Sequence, residues 1–417
     1  MKLTAKHLFL LPLTAMLFAC SEPATTTTTT QETGEAATAT TTTTTETATE
    51  AAAETVTEAA TDAGEAVTDA AANAGAAAGL SAPAAPHADG NLTGAGASFP
   101  FPLYSKMFDE YGKEVGVSVN YQSVGSGTGQ KQIIEQTVDF GASDNAMDDE
   151  KLASAPGEIA HIPMALGAVT ATYNVPGLDP ATTLKMTGPV LADIFLGKIT
   201  TWNDPAILEL NEGVELPGLP ITVARRSDSS GTTAVFTDFL SKVSPEFSDS
   251  VGMGNSVNWT VGSAAKGNDG VAGLVQNTPG ALGYIEEAYA QQNNMPMMAI
   301  QNAAGEFMQP SLEGVTAAAA ASELPEDMRG SVTNAEGEGV YPMASYTYLL
   351  VYPEQNYAGR DKAQGERLQH LLQWMLTSGQ GYHEGLHYAK LPDAVRERAL
   401  EIVNGMTFNG QPMNPMQ

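Results

Sequence analysis

The stretch Ile221-Thr222-Val223-Ala224-Arg225-Arg226-Ser227-Asp228-Ser229-Ser230-Gly231-Thr232-Thr233 runs from a short β-prone segment, through a polar turn, into a segment with Val235, Phe236, Phe239 and Leu240 on one helical face. Those spacings predict a strand followed by a helix whose apolar face turns inward. Small hydroxyl residues and a glycine occupy the point where strand hands over to helix. A helix N-terminus presents unpaired N–H donors and a partial positive charge, which makes it a ready anion site. Glycine lets a ligand approach the backbone, and each hydroxyl adds a donor. Arg226 contributes a planar fork of donors suited to an oxyanion, where lysine would act only as a point charge.

Working outward, two more junctions repeat the arrangement. A strand near Leu92 leads into Gly94-Ala95-Gly96-Ala97-Ser98-Phe99-Pro100, followed by a helix with Phe101, Tyr104, Phe108 and Tyr111 on one face. Pro100 and Pro102 stand at its start, where proline is tolerated. Val117-Ser118-Val119-Asn120-Tyr121 leads into Gly125-Ser126-Gly127-Thr128-Gly129 and a helix carrying Ile133 and Ile134. Any one of these could be an ordinary N-cap, since serine and threonine are favoured there. Three in one chain, one bearing an arginine, point to an anion site. The alternation of strands and helices argues for α/β architecture. A nucleotide phosphate loop is excluded, because Lys131 is followed by Gln132 and the required Gly–Lys pair is missing.

The 417 residues carry 48 acids against 19 Lys plus Arg, a formal charge of −29. This argues against a general nucleic-acid binder, which needs basic residues to displace counterions, and against electrostatic binding to anionic lipid. The single cysteine, Cys20, excludes a disulfide framework, a Cys-based zinc site and iron–sulfur ligation. Lys2 and Lys6 precede a short apolar run from Leu8 to Phe18, the pattern of a secretory signal over residues 1–20. Leu17-Phe18-Ala19-Cys20 resembles the bacterial lipobox, which implies lipidation (palmitate among the acyl groups) at Cys20 and export to a periplasm or cell surface. Residues 21–90 hold 20 Thr, 23 Ala and 11 acids with no Lys, Arg or aromatic residue. Such a composition cannot bury enough apolar surface to offset its conformational entropy, so a disordered tether is expected. The folded body, 91–417, keeps 37 acids and 17 bases, a net charge of about −20.

Six motifs, in order, carry a family resemblance: Gly94 to Pro100; Asn120-Tyr121-Gln122 through Gly125-Ser126; Val138-Asp139-Phe140-Gly141-Ala142-Ser143-Asp144; Arg225 to Thr232; Lys266-Gly267-Asn268-Asp269-Gly270; and Gly280-Ala281-Leu282-Gly283-Tyr284. Over residues 91–417 the chain resembles the periplasmic phosphate-binding proteins of bacterial phosphate ABC transporters. The resemblance implies a two-lobed periplasmic-binding-protein fold of type II, each lobe a doubly wound α/β sheet with flanking helices, and the ligand in the interlobe cleft. Lobe 1 is expected over 91–165 and 341–417, lobe 2 over 166–340. Carried over position by position, the phosphate ligands are Ser98 (where the family often has threonine), the N–H of Phe99, Ser126, Asp144, Arg226, Ser230, the N–H of Gly231, and Thr232. Asp228 matches a carboxylate that holds the arginine in place. The implied partners are inorganic phosphate and a membrane permease and ATPase complex, without a cofactor or an enzymatic role. Asp144 has its own logic: a carboxylate in an anion site must accept a hydrogen bond from a protonated oxygen. Phosphate near neutral pH has such a proton and sulfate has none, so sulfate would leave Asp144 facing like charge.

The rival reading is catalysis. His383-Glu384-Gly385-Leu386-His387 matches the pattern of zinc hydrolases, which works only on a helix where both imidazoles share a face. Gly379, Gly381, Gly385 and the nearby Pro392 argue against a helix there. An exported phosphatase-like enzyme, or a surface lipoprotein binding another tetrahedral oxyanion, remains the alternative. Trp202, Trp259 and Trp374 and the tyrosines of Tyr341 to Tyr348 are expected in the core, Met295 to Met298 in a packed loop, and Lys266 to Gly270 in a glycine-rich helix start that supports lobe shape.

Overall fold

The computed structural model describes residues 90–179 and 181–413. The signal segment, Cys20 and the tether expected up to residue 89 lie outside them. The strands are β1 (Asn91–Gly96), β2 (Ser118–Ser123), β3 (Phe140–Ser143), β4 (Ala160–Tyr173), β5 (Lys185–Met186), β6 (Thr222–Arg226), β7 (Ser263–Ala265), β8 (Ala281–Glu286), β9 (Ala299–Gln301), β10 (Phe307–Met308), β11 (Ala344–Val351) and, in a two-stranded sheet of their own, β12 (Thr407–Phe408) and β13 (Gln411–Pro412). Eight form one sheet in the order β2-β1-β3-β11-β4-β8-β6-β7, and β10, β9 and β5 form a small separate one.

The large sheet contains the same unit twice. β1 pairs in parallel with β2 and β3, and β6 pairs in parallel with β7 and β8, so in each group the first strand is central. Within each group a helix follows each of the first two strands. Phe101–Val115 and Ser126–Ile134 serve the first group, and Gly231–Val243 and Gly267–Asn277 the second. Between the groups lie β4 and β11, both antiparallel. β4 pairs with β11 from Ala160 to Ala168 and with β8 from Val169 to Tyr173. One 14-residue strand therefore links the groups, pairing with β8 of the second and, through β11, reaching β3 of the first. All eight residues of β11 are buried, as are all of β4 but Ala160, which is why these strands read as nearly unbroken apolar runs.

The junction helices form as their spacing predicts. Phe101–Val115 buries Leu103, Tyr104, Met107, Phe108, Tyr111 and Val115, and ends on Gly116 in the left-handed conformation. Phe101, expected on the buried face, is instead 38% exposed and stacks on Tyr121, because it opens the first turn beside the stripe rather than on it. Val235, Phe236, Phe239 and Leu240 are all buried. Trp202 and Trp374 are fully buried, and Trp259 packs against the core beside Phe195, Phe247 and Tyr284.

Candidate functional site

Six loops leave the carboxyl ends of the parallel strands, three per group, and open α/β sheets bind ligands at that end. β1 leads to Ser98 and Phe99, β2 to Ser126, and β3 to Asp144. β6 leads to Asp228, Ser230, Gly231 and Thr232, β7 to Asn268, and β8 ends on Glu286. The two triplets face each other. The N–H of Gly127 donates to the carbonyl of Ser229 at 3.0 Å. A methyl group on Gly231 would stand 2.4 Å from Ser126 Oγ and 2.5 Å from Asp144 Oδ2, so only glycine fits between the groups there.

The carried-over polar side chains converge on this contact and are shielded from solvent. Ser98, Ser126, Asp144, Arg226, Ser230 and Thr232 are each at most 3% exposed. Arg226 Nε donates to Asp228 Oδ1 at 2.8 Å and its Nη2 to Oδ2, a bidentate pair. Nη1 donates to Thr232 Oγ1 at 3.3 Å. Asp228 Oδ1 also accepts the Gly267 N–H at 3.1 Å. Burial pushes the Asp228 carboxyl up, but hydrogen bonding and charge from Arg226, together with that N–H, bring it below the usual range. Ser230 caps its helix, Oγ accepting the Thr233 N–H at 3.1 Å. The N–H groups of Gly231 and Thr232 lie in that helix's first turn, where no intrahelical acceptor exists.

Asp144 stands opposite. Its Oδ1 accepts from Thr347 Oγ1 at 2.9 Å and its Oδ2 from Ser126 Oγ at 3.1 Å. Burial pushes this carboxyl up to about 7, against the downward pull of those two hydroxyls and of Arg226. The site thus combines one fixed cation, several N–H and O–H donors, and one carboxylate poised near neutrality.

Three features of the site were not anticipated from sequence. Asn268 is fully buried and bridges the groups: Nδ2 donates to Ser98 Oγ at 3.0 Å and to Thr232 Oγ1 at 3.1 Å. The expectation that Lys266 to Gly270 only supports lobe shape is therefore incomplete. The available signal was position, since Asn268 follows its strand much as Ser126 follows β2. Thr347, hidden between two core tyrosines of β11, is the second. The third is a set of tyrosines that occupy the carbonyls of the first loop. Tyr121 donates to Ala97 O at 2.6 Å, Tyr289 to Ser98 O at 2.6 Å, and Tyr388 to Phe99 O at 2.7 Å. With its acceptors committed, that loop has N–H and O–H groups left to offer a ligand.

The His383 to His387 segment is not an α-helix. Within it only Glu384–Leu386 forms a short 3₁₀ turn, just after another at Ser378–Tyr382, and His387 has φ +64°. His383 is buried with Nε2 at 3.0 Å from the Met164 carbonyl, and burial lowers its pKa to about 4. Among the described residues no three His, Cys, Asp or Glu side chains are grouped as metal ligands would be.

A family profile described as "PBP superfamily domain" matches residues 81–378. The phosphate-binding protein PstS of Xylella fastidiosa (strain Temecula1) is 44% identical over 303 residues, covering 72% of this chain and 81% of the relative. The chain belongs to the PstS family of phosphate-binding proteins. The PstS of Pasteurella multocida is likewise 44% identical, over 74% of this chain and 88% of its own. A solved phosphate-binding protein from Stenotrophomonas maltophilia shares the fold, with a TM-score of 0.57 at 19% identity over 75% of this chain and 93% of its own.

Proposed function

We propose that this PstS family member binds inorganic phosphate between two lobes and delivers it to the permease and ATPase complex of an ABC importer. The observation that carries this is the burial of Asp144 and Arg226 in one site among a ring of donors, close enough for the arginine's charge to act on the carboxyl. The ligands are Ser98, the Phe99 N–H, Ser126, Asp144, Arg226, Ser230, the Gly231 N–H and Thr232, with Asp228 fixing the arginine. Hydrogen bonds to charged groups contribute roughly 1.5–3 kcal/mol each, and a micromolar complex needs about 8 kcal/mol, so a handful of such contacts suffices. Asp144 gives the site one strong acceptor, which suits a tetrahedral anion that still holds a proton. The role is capture and release rather than catalysis.

The lobes are 91–165 with 341–417, and 166–340. The exchange of β4 from β11 to β8 between Ala168 and Val169 supports a hinge within a few residues of that boundary. Because the ligand groups are almost solvent-free, admission and release require the Gly127–Ser229 and Ser98–Asn268 contacts to part. The chain is exported and held to a membrane through lipid at Cys20, with residues 21–90 as the tether. Its body charge of about −20 repels phosphate at a distance, but salt confines that field to roughly 10 Å, and capture rests on local donors.

Calorimetric titration of the full chain with phosphate and with sulfate tests this reading. Saturable heat with phosphate and far weaker binding of sulfate are expected. No phosphate heat, or equal binding of the two anions, overturns it.

A further inference from the structure

The Asn268 amide has a settled orientation. Its Oδ1 accepts the Glu286 N–H at 3.0 Å, so the opposite flip would set two donors against each other. Nδ2 then spends one hydrogen on Ser98 Oγ and the other on Thr232 Oγ1. Ser98 Oγ also receives the Asn268 backbone N–H at 3.4 Å, and Thr232 Oγ1 also receives Arg226 Nη1 at 3.3 Å. A hydroxyl has two acceptor lone pairs and one hydrogen. Both lone pairs of each hydroxyl are thus taken, and each has only its hydrogen left to offer.

We propose that Asn268 is a positioning residue that makes Ser98 and Thr232 donor-only, so that a protonated oxygen of the bound anion is refused at both and is left for Asp144. This rests on the phosphate reading above and adds to it the residue that sets hydrogen direction. Asn268 need not touch the anion. Its effect is on specificity: an oxygen beside Ser98 or Thr232 must be unprotonated, because an O–H there would face another O–H. The charged and titratable groups around this network are Arg226 and Asp144 across the site, Asp228 on the Gly267 N–H, Glu286 at the amide oxygen, Tyr289 on the Ser98 carbonyl, and Asp269 next in the chain.

Asn268→Asp isolates the hydrogen direction. A carboxylate keeps an oxygen for the Glu286 N–H, so that structural contact survives, but it has no hydrogen to give. Ser98 and Thr232 would then donate to residue 268 and turn lone pairs toward the anion. Phosphate affinity of full-chain wild type and variant, measured by calorimetry from pH 5 to 8, is the readout, expressed as the ratio of their dissociation constants. At pH 8 the variant is expected to bind at least about 100-fold more weakly, from lost donors and like charge. Towards pH 5 the ratio should shrink at least tenfold, as the introduced carboxyl takes up a proton and regains one donor. Asn268→Ala serves as the second variant. It should bind roughly 10- to 100-fold more weakly at pH 8, the range for one charge-assisted hydrogen bond. Its ratio should also narrow on acidification, because hydroxyls freed to accept tolerate a second anion proton. A purely structural role predicts ratios that do not change with pH, and flat ratios in both variants, or wild-type affinity in either, overturn the proposal. If the wild type itself binds no phosphate, the function fails; if it binds normally and the ratios are flat, only the role of Asn268 does.

Discussion

In the β2-β1-β3 group the third parallel strand ends at Ser143 and delivers Asp144; in the β7-β6-β8 group the corresponding strand ends on Glu286. Both carboxyls are buried, and burial raises the pKa of both, yet their surroundings differ. Asp144 accepts from two hydroxyls and lies within reach of the Arg226 charge, which restrains it near 7. Glu286 Oε2 accepts the Ala288 N–H at 2.8 Å and lies 3.0 Å from the Tyr388 hydroxyl oxygen, whose one hydrogen goes to Phe99 O; its Oε1 has no hydrogen-bond partner, and the adjacent Glu287 raises it further. One unit built twice therefore offers two acids at equivalent strand ends, and only one is equipped to stay charged. An unpaired buried carboxylate is costly, so burial favours the protonated form of Glu286, whose side chain caps a helix, while Asp144 remains available as an acceptor. The arginine that makes the difference comes from the other group, so neither half is a site alone.

Substitutions can break this division of labour, beginning with the arginine. Arg226→Ala removes the only cation hydrogen-bonded to the ring among the described residues and leaves the half-buried Asp228 without its bidentate partner. Phosphate affinity should fall by about 1,000-fold or more, since the anion loses its charged donor and meets the unneutralised Asp228 carboxylate, a loss of roughly 4 kcal/mol or more. Calorimetry checks it, and a loss under tenfold would contradict the central place given to the arginine. Gly231→Ala attacks the meeting of the halves rather than either one. The added methyl would overlap Ser126 Oγ and Asp144 Oδ2, so closure should be blocked and affinity should drop by about 100-fold with little change in melting temperature. Small-angle scattering with saturating phosphate should then report no compaction.

How much of this was legible in the sequence divides along the same lines. Ser98, Ser126, Asp144 and the Arg226 to Thr232 loop were readable because each sits in a local strand–turn–helix pattern, and the structure brings them together in one network. The α/β alternation was readable for the same reason. The joining of both groups in one sheet was not, because it depends on β4 and β11 pairing across more than 170 residues, and both strands are mostly apolar, with no alternation to fix their register. Thr347 escaped for that reason too: it meets Asp144 from 203 positions away, flanked by Tyr346 and Tyr348, which dominate the reading of their strand. Asn268 is neither charged nor a hydroxyl, and its glycine neighbours suggested only a turn. Long-range register decides which buried polar side chains meet, and no local pattern encodes it.

A smaller effect is expected where the carboxylate itself is changed. Asp144→Asn keeps the size of the side chain but can offer an N–H where the acid accepted one. Phosphate should weaken by roughly tenfold and sulfate should strengthen, because the like charge that rejected it is gone. Competition of labelled phosphate by sulfate gives the ratio directly. Unchanged discrimination would mean that the donors alone select the anion, and the contrast between Asp144 and Glu286 would lose its functional meaning.

The other acid pair should leave binding almost untouched and instead govern stability with pH. Glu287 is buried beside Glu286, and desolvation raises it from 4.5 to about 7, with Gln291 hydrogen-bonding in opposition. Between those values the native state holds a proton that the unfolded chain has released, so stability falls as pH rises through that window. Below about pH 4.5 both states are protonated, and the group makes no difference. Glu287→Gln copies the protonated acid at every pH. The variant should therefore melt like the wild type at pH 4 and a few degrees above it at pH 8, with the gap opening between 4.5 and 7. Glu286→Gln should shift stability in the same direction, because burial raises that carboxyl well above its ordinary value too. Neither should move phosphate affinity at pH 7 more than about twofold. A stability gap already present at pH 4 would show that packing rather than charge is at stake. Affinity lost in Glu286→Gln would show that the second acid reaches the anion after all, and that the two strand ends are equivalent in function as well as in position.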